Sequence, residues 1–487
     1  MLVVYAARAA YAAETPALER GTAITDPAAL REHEGGRLRL DRMLLPARSA
    51  DTPLSNGELF ALPSMLPVRQ AIDGEFDRYT ARHRANLPAV TVGVGNGFDF
   101  QLFDRELLYS TQTRFVLAGI VNRMDRGYVS EAGCGEIRLI YRLVRMETPA
   151  TGNGASLPRL PMTLNLVLRA KADRSPDRDG PAITCREIAQ RWLAGENGDS
   201  LDLLGHENID RIETNLQIAH APKTAAREFR TDYLLKVFRY DRHARVFAES
   251  PMENQIDRAR LLADEGLKRE FRAWLLDPVN LAAFDRGTAL IPEQFLARGA
   301  VASTPAGFDP SDLQPEFSLV NGEGAAFSEA EIIAALNMAA AAGVKLQNIR
   351  SPGGFARRLN DVTCSGCHQT RGIGGFHFPG VDWTAAKSTA VPASPHFFGD
   401  QVRRRDILEA LRDGRSPDYS RGFASRPQLR GSTELSGTGY HDGWGAHCYV
   451  QGASTDESFR DWNCAEGLTC QAAGRISRIG MCFVKSR

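Results

Sequence analysis

Apolar residues recur at every second position in three stretches of the first half of the chain. Ile137, Leu139, Tyr141 and Leu143 alternate with Glu136, Arg138 and Arg142. Met162, Leu164, Leu166 and Leu168 form a second run, and Phe229, Tyr233, Leu235 and Val237 a third. A period of two with one apolar set predicts strands buried on one face. Phe115 to Val121 is apolar without interruption, which predicts a central strand covered on both faces. Elsewhere the period lengthens. Thr184–Gly195 and Ile256–Leu276 read as helices, the second with Leu267, Phe271, Trp274 and Leu275 on one stripe. Residues 20–300 are therefore expected to form an α+β block, mixed in its elements, with a mainly antiparallel sheet.

Beyond residue 300 the pattern becomes helical. Ala302–Glu316, rich in Ser, Pro and Gly, reads as a linker. Ser328 and Glu331 form a capping box for a helix that stops at Gly343. A short helical turn follows around Phe355 and Leu359. Asp400 is placed to cap a further helix to Asp413, with Ile407, Leu408 and Leu411 inward and Gly414 ending it. This predicts a small all-α domain over 317–415, then a second Ser/Gly/Pro/Arg-rich linker over 415–440, then a distinct segment over 440–487.

Composition narrows the function classes. The 487 residues are 43% hydrophobic and 24% charged, which excludes wholesale disorder. Lys and Arg together number 59, as do Asp and Glu, so the sequence-independent phosphate attraction of nucleic-acid binders is missing. The richest apolar run, Ile332–Val344, is too short to span a bilayer and contains Asn337. Gly93-Val94-Gly95-Asn96-Gly97 lacks the third glycine of a dinucleotide loop and reads as a tight turn. Asn122–Arg126 closes a strand with four polar residues that either line a site or form a solvated, salt-bridged turn. No Ser/His/Asp set, zinc-protease motif or phosphate loop stands out.

The cysteines carry the sharpest signal. Cys364-Ser365-Gly366-Cys367-His368 has the C-x-x-C-H spacing of covalent c-type haem attachment. Two thiols three positions apart on one turn reach the two vinyl groups of a haem, and the adjacent His368 is held under the iron as its proximal ligand. The competing readings are half of a zinc site, which lacks a second ligand pair at suitable spacing, and a thioredoxin-like pair, which lacks a following helix. Six cysteines remain, an even number that fits disulfides and an oxidising compartment. Cys448, Cys464, Cys470 and Cys482 crowd into the last stretch, where two bridges would staple a small module. The interlaced pairing 448–470 and 464–482 is the favoured one of three. Cys134 and Cys185 are left either for one another or as two buried thiols. Residues 1–13, apolar and ending in Ala10-Tyr11-Ala12, read as a truncated export signal or an Ala-rich helix.

With that motif, roughly residues 320–415 resemble a class I c-type cytochrome domain, a small helical bundle around one haem. The resemblance implies one covalent haem c and a proline that orients the proximal imidazole, here Pro379. It usually implies a downstream methionine as sixth ligand, but no Met stands between Met338 and Met481. His396 and then His377 are the imidazole candidates, with Met338, His441, His447, Met481 or an open position as alternatives. Three functions follow as expectations. The first is an exported, periplasmic or extracellular electron carrier whose N-terminal block docks a redox partner or substrate. The second is a haem enzyme of peroxidase or oxygenase type with an open distal site. The third is a secreted binding protein with a structural haem, attaching through its disulfide module.

Overall fold

The computed structural model describes residues 21–129, 133–146, 159–170, 183–195, 204–221, 230–304, 319–320, 325–366, 397, 400–422, 447–449, 463–472 and 479–484. The protein is an α+β structure built on a mainly antiparallel sheet. Its strands in chain order are β1 (Ala23–Ile24), β2 (Val92–Val94), β3 (Phe100–Leu102), β4 (Thr113–Arg123), β5 (Glu136–Arg145), β6 (Arg159–Arg169), β7 (Ile209–Ala221), β8 (Arg230–Asp241), β9 (Val246–Ser250) and β10 (Gly299–Thr304). Spatially β1, β4, β5, β6 and β7 lie side by side. β7 then carries β3 and β2 along one edge and β8 along the other, and β8 is flanked by β9 and β10. Among the described residues only the short β2–β3 pair is parallel.

The predicted alternation is realised in register. Leu139 of β5, Leu166 of β6, Ile212 of β7 and Phe238 of β8 stand opposite one another across four strands and are buried in one apolar cluster. Onto this face packs the long helix Leu66–Asn86 through Val68, Ile72, Phe76 and Tyr79, spaced three and four apart. The helix Cys185–Ala194 adds Ile188, Ala189 and Trp192. It starts with the Thr184–Glu187 capping box and ends at Gly195 with φ +71°, as its sequence predicts. One cation enters this core: the Lys236 ammonium, 1% exposed, is neutralised by Glu75 at 2.8 Å and by Glu249.

Four expectations need correction. The apolar run in β4 is not central, since one of its neighbours is the two-residue β1. Its second face is covered instead by a small cluster in which Ala118, Val121 and Ile140 meet Ala23 and Phe397. The stretch 256–276 holds two helices, Arg258–Ala263 and Glu265–Leu276, because Asp264 breaks the first and caps the second through the backbone N–H groups of Gly266 and Leu267. The expected linker begins with strand residues: Ala302–Thr304 belong to β10 and pair with β8. Asp400 precedes the helix Gln401–Arg412 without capping it through its side chain. Its carboxylate instead accepts from Arg403 and Arg404 at 2.9 and 2.8 Å.

The boundary expected near residue 300 falls inside a shared core. Phe271, Leu275, Leu281, Phe284 and Phe295 pack with Phe327, Ile332, Phe355 and Leu359 in one cluster. The helices Glu265–Leu276 and Pro278–Arg286 thus bury their apolar stripes against Glu329–Ala341 and Pro352–Asp361. The helix Gln401–Arg412 turns the other way, burying Leu408 in the sheet core. At the C-terminal end, β11 (His447–Tyr449), β12 (Leu468–Ala472) and β13 (Ile479–Val484) form a separate antiparallel sheet with β13 in the middle. Its cysteines pair 448–470 and 464–482, the favoured one of the three possibilities. Cys134 and Cys185 also bond to each other, settling the open choice there.

Candidate functional site

The same alternation that builds the core puts polar side chains on the opposite face of the sheet. Three rows cross it from β5 to β8: Arg138, Val167, Arg211 and Arg239; then Ile140, Asn165, Glu213 and Val237; then Arg142, Thr163, Asn215 and Leu235. Part of this face is covered: the segments Pro251–Asn254 and Arg358–Cys364 line a half-open cavity of about 790 Å³ on it, while Arg239 remains exposed. Apolar character rises towards β8, where Leu235 and Val237 meet Met252, Ala300, Ala302 and Cys364 in one cluster.

Charges on the cavity wall are joined into a network. Glu136 accepts from Arg126 at 2.9 Å, Arg211 at 2.8 Å and Arg138 at 2.9 Å. Glu213 accepts from Arg138 and Arg211 at 2.9 and 2.7 Å, and Arg126 reaches on to Glu253. Burial works to raise the pKa of Glu136, but the guanidinium groups of Arg126, Arg211 and Arg138 outweigh it and hold the carboxyl well below its usual range. Glu213 is lowered in the same way, by Arg138 and Arg211 against its own burial and the charge of Glu136.

The Asn122–Arg126 turn is salt-bridged but not solvated. Arg123 and Asp125 are buried and paired at 2.8 Å, and Arg123 and Arg126 both line the cavity. Arg403, from the helix Gln401–Arg412, also binds Asp125 at 2.7 Å. Burial opposes ionisation of Asp125, yet the positive charges of Arg123, Arg404 and Arg403 keep its pKa far down. Asp400 is likewise lowered by Arg403 and Arg404 against desolvation.

These four carboxylates imply a pH dependence. Each has a folded pKa below its unfolded one, about 3.9 for Asp and 4.3 for Glu. Their stabilisation is therefore whole above about pH 5 and is lost as pH falls below about 4. Glu34, whose pKa burial raises, acts in the opposite sense but alone. The melting temperature should be nearly level from pH 7 to 5 and fall steeply towards pH 3. An equal melting temperature at pH 5 and pH 3 would contradict the role given to the network.

The Cys364-Ser365-Gly366 turn is anchored on this wall. The helix Pro352–Asp361 ends at Val362, and Thr363 Oγ1 accepts from the Gly366 backbone N–H at 3.0 Å, capping a new helical turn that starts at Cys364. Ser365 N–H donates to Gln255 Oε1 at 2.8 Å, and Cys364 Sγ donates to the Glu253 carbonyl at 3.5 Å. A Cβ at Gly366 would collide with the backbone carbonyl and side-chain amide of Asn360. Gly366→Ala should thus cost about 1–3 kcal/mol through overpacking, read by urea unfolding. An unchanged midpoint would mean the turn relaxes freely.

Cys367, His368, His377, Pro379 and His396 lie outside the described residues. So do the side chains of His441 and His447. Among the described residues, one group of three metal-ligating side chains comes within 4.8 Å, Cys448, Cys464 and Cys482, and all three are spent in disulfides. Sequence reasoning missed the cavity residues Arg138, Arg211, Glu213 and Glu253. The available signal was the density of charge on the polar face of β5 and β7. No family model, curated protein or solved structure matches the chain. Among the described residues no helix is long and apolar enough to cross a membrane.

Proposed function

We propose that this chain is an exported c-type haem protein carrying single electrons through one haem c joined to Cys364 and Cys367, with His368 on the iron. The observation that carries the reading is the cysteine pairing. Six of eight cysteines bond among themselves, so none of those six is the partner of a motif cysteine, and Cys364 stands on the wall of the 790 Å³ cavity. That volume lies in the range of cofactor sites. The donor chemistry also fits a haem, whose body is apolar and whose propionates are anionic. Leu235, Val237 and Met252 pack with Cys364, while Arg126, Arg138 and Arg211 share the same cavity.

Bound there, the haem supplies a one-electron couple between ferric and ferrous iron. The chain's part is attachment and environment. Each thiol adds across one vinyl double bond, sulfur to one carbon and hydrogen to the other, so both must be reduced beforehand and no oxidant is consumed. The disulfides at the other six cysteines point to an oxidising compartment, periplasmic or extracellular. The N-terminal block would then present the haem to a redox partner protein or a small substrate. A second reading, a peroxidase- or oxygenase-type enzyme, is favoured by the room in the cavity and requires an iron that binds added ligands.

The test is a pyridine haemochrome spectrum of the full-length protein from a host with haem-maturation machinery. One covalent haem per chain is expected, held by a single thioether in Cys364→Ala and lost in the double variant Cys364→Ala, Cys367→Ala. A colourless preparation, or a Cys364–Cys367 disulfide found by mass spectrometry, would overturn the proposal. Cyanide and carbon monoxide titrations separate the two readings, since only an open site shifts the Soret band.

A further inference from the structure

The chain as a whole is neutral, with 59 basic and 59 acidic residues, but the cavity is not. Among the described residues that line it, nine are Arg or Lys and five are Asp or Glu. Two of the nine are answered from outside the wall, Arg123 by Asp125 and Lys236 by Glu75 and Glu249. Seven arginines then face five carboxylates. A cleft lined by an excess of one sign concentrates the opposite ion from solution, and the excess here matches a ligand with two negative charges.

The order of the strands says where such a ligand enters. Arg138, Arg211 and Arg239 stand in one row across β5, β7 and β8, with Val167 of β6 between the first two. Adjacent strands lie about 5 Å apart, so Arg211 and Arg239 are close neighbours. The side chains of Arg138 and Arg211 are 12% exposed and that of Arg239 is 59% exposed, so the row runs from the interior to the mouth. The inner two are engaged by Glu136 and Glu213. Arg239 is held loosely: its Nη1 lies 4.0 Å from Asp210, whose carboxylate accepts from Arg211 at 2.8 Å. Arg239 therefore keeps its fork of donors for an arriving carboxylate. Behind the row, Asn165 and Thr163 line the cavity with uncharged polar groups. Because the row lies on strands, whose backbone N–H groups are engaged in the ladder, recognition falls to planar guanidinium forks. A nest of backbone amides, the usual cradle of phosphate, is a different arrangement.

We propose that the mouth of the cavity binds a short organic dicarboxylate, one carboxylate held by Arg239 and the other drawn inward by Arg211 and Arg138. None of these side chains needs the haem to be in place, so the site stands apart from the haem reading above.

Succinate is the probe, titrated calorimetrically into the full-length protein at physiological ionic strength, where exposed charges are screened. One succinate per chain should bind. Butyrate, of the same length with a single carboxylate, should bind about tenfold more weakly, the loss of one charge-assisted contact. Arg239→Gln should weaken succinate by about the same factor. Arg84→Gln, on the helix that covers the opposite face of the sheet, should leave it unchanged. If Arg239→Gln does not fold, the wild-type comparison of succinate with butyrate and inorganic phosphate decides the matter. No saturable binding at millimolar succinate, equal affinity in a folded Arg239→Gln, or butyrate or phosphate binding as tightly as succinate each overturns the site. A colourless protein that binds succinate as stated overturns the haem reading and leaves this site standing.

Discussion

Asp125→Ala is expected to lower the unfolding free energy by about 3–5 kcal/mol, the cost of removing one partner from a buried charge network. Asp125 is 4% exposed and joins Arg123 at 2.8 Å to Arg403 at 2.7 Å. Without it, two guanidinium groups lose their shared anion in a region already crowded by Arg404. Arg404 has its own pKa lowered to about 10 by burial and by Arg123. The pair Asp125–Arg403 also ties the helix Gln401–Arg412 to the turn after β4, so the loss is tertiary. Urea unfolding of Asp125→Ala, Arg403→Met and the double variant should reveal strong coupling between the two positions. Additive single effects would show that the contact does not hold the helix.

Asp285→Ala should cost about 4 kcal/mol, because a charged acceptor is removed from three backbone donors at once. Asp285 lies at the end of the helix Pro278–Arg286 and is 1% exposed. Its carboxylate accepts from Gln347 at 2.8 Å, Asn348 at 2.8 Å and Ile349 at 2.6 Å. Those residues lead directly into the helix Pro352–Asp361 and the Cys364-Ser365-Gly366 turn. Asp285→Asn retains one acceptor oxygen and should lose about half as much. Hydrogen exchange at Gln347–Ile349 should accelerate in step with the fall in stability. Protected amides in Asp285→Ala would sink the assignment.

Much of this architecture is written locally. The alternation at Ile137–Leu143 and Met162–Leu168 specifies strands with one apolar face, since side chains on a strand must point to opposite sides. The Thr184–Glu187 and Ser328–Glu331 boxes specify where two helices begin, because the donors they satisfy lie within four residues. A disulfide-stapled C-terminal module was also readable from its four cysteines, and of the three possible pairings the structure has the interlaced one. Asp400 shows the limit of such rules. A cap-forming residue in the cap position has helical backbone, φ −88° and ψ −7°, and gives its carboxylate to Arg403 and Arg404 three and four residues on.

By itself, then, the sequence determined most element types and the α+β class, both set by spacings of a few residues, while the pairing of Cys134 with Cys185 over 51 residues came from the structure. Tertiary structure alone decided that the polar face of β5 to β8 lines a half-open cavity. An Arg138 or Glu213 facing water and one facing a covered wall have the same neighbours in sequence. It also decided that helices on both sides of residue 300 share one core, since an apolar stripe specifies burial and not the partner it is buried against. Met252 came to lie beside Cys364 for the same reason: only folding brings segments so far apart in the chain into contact.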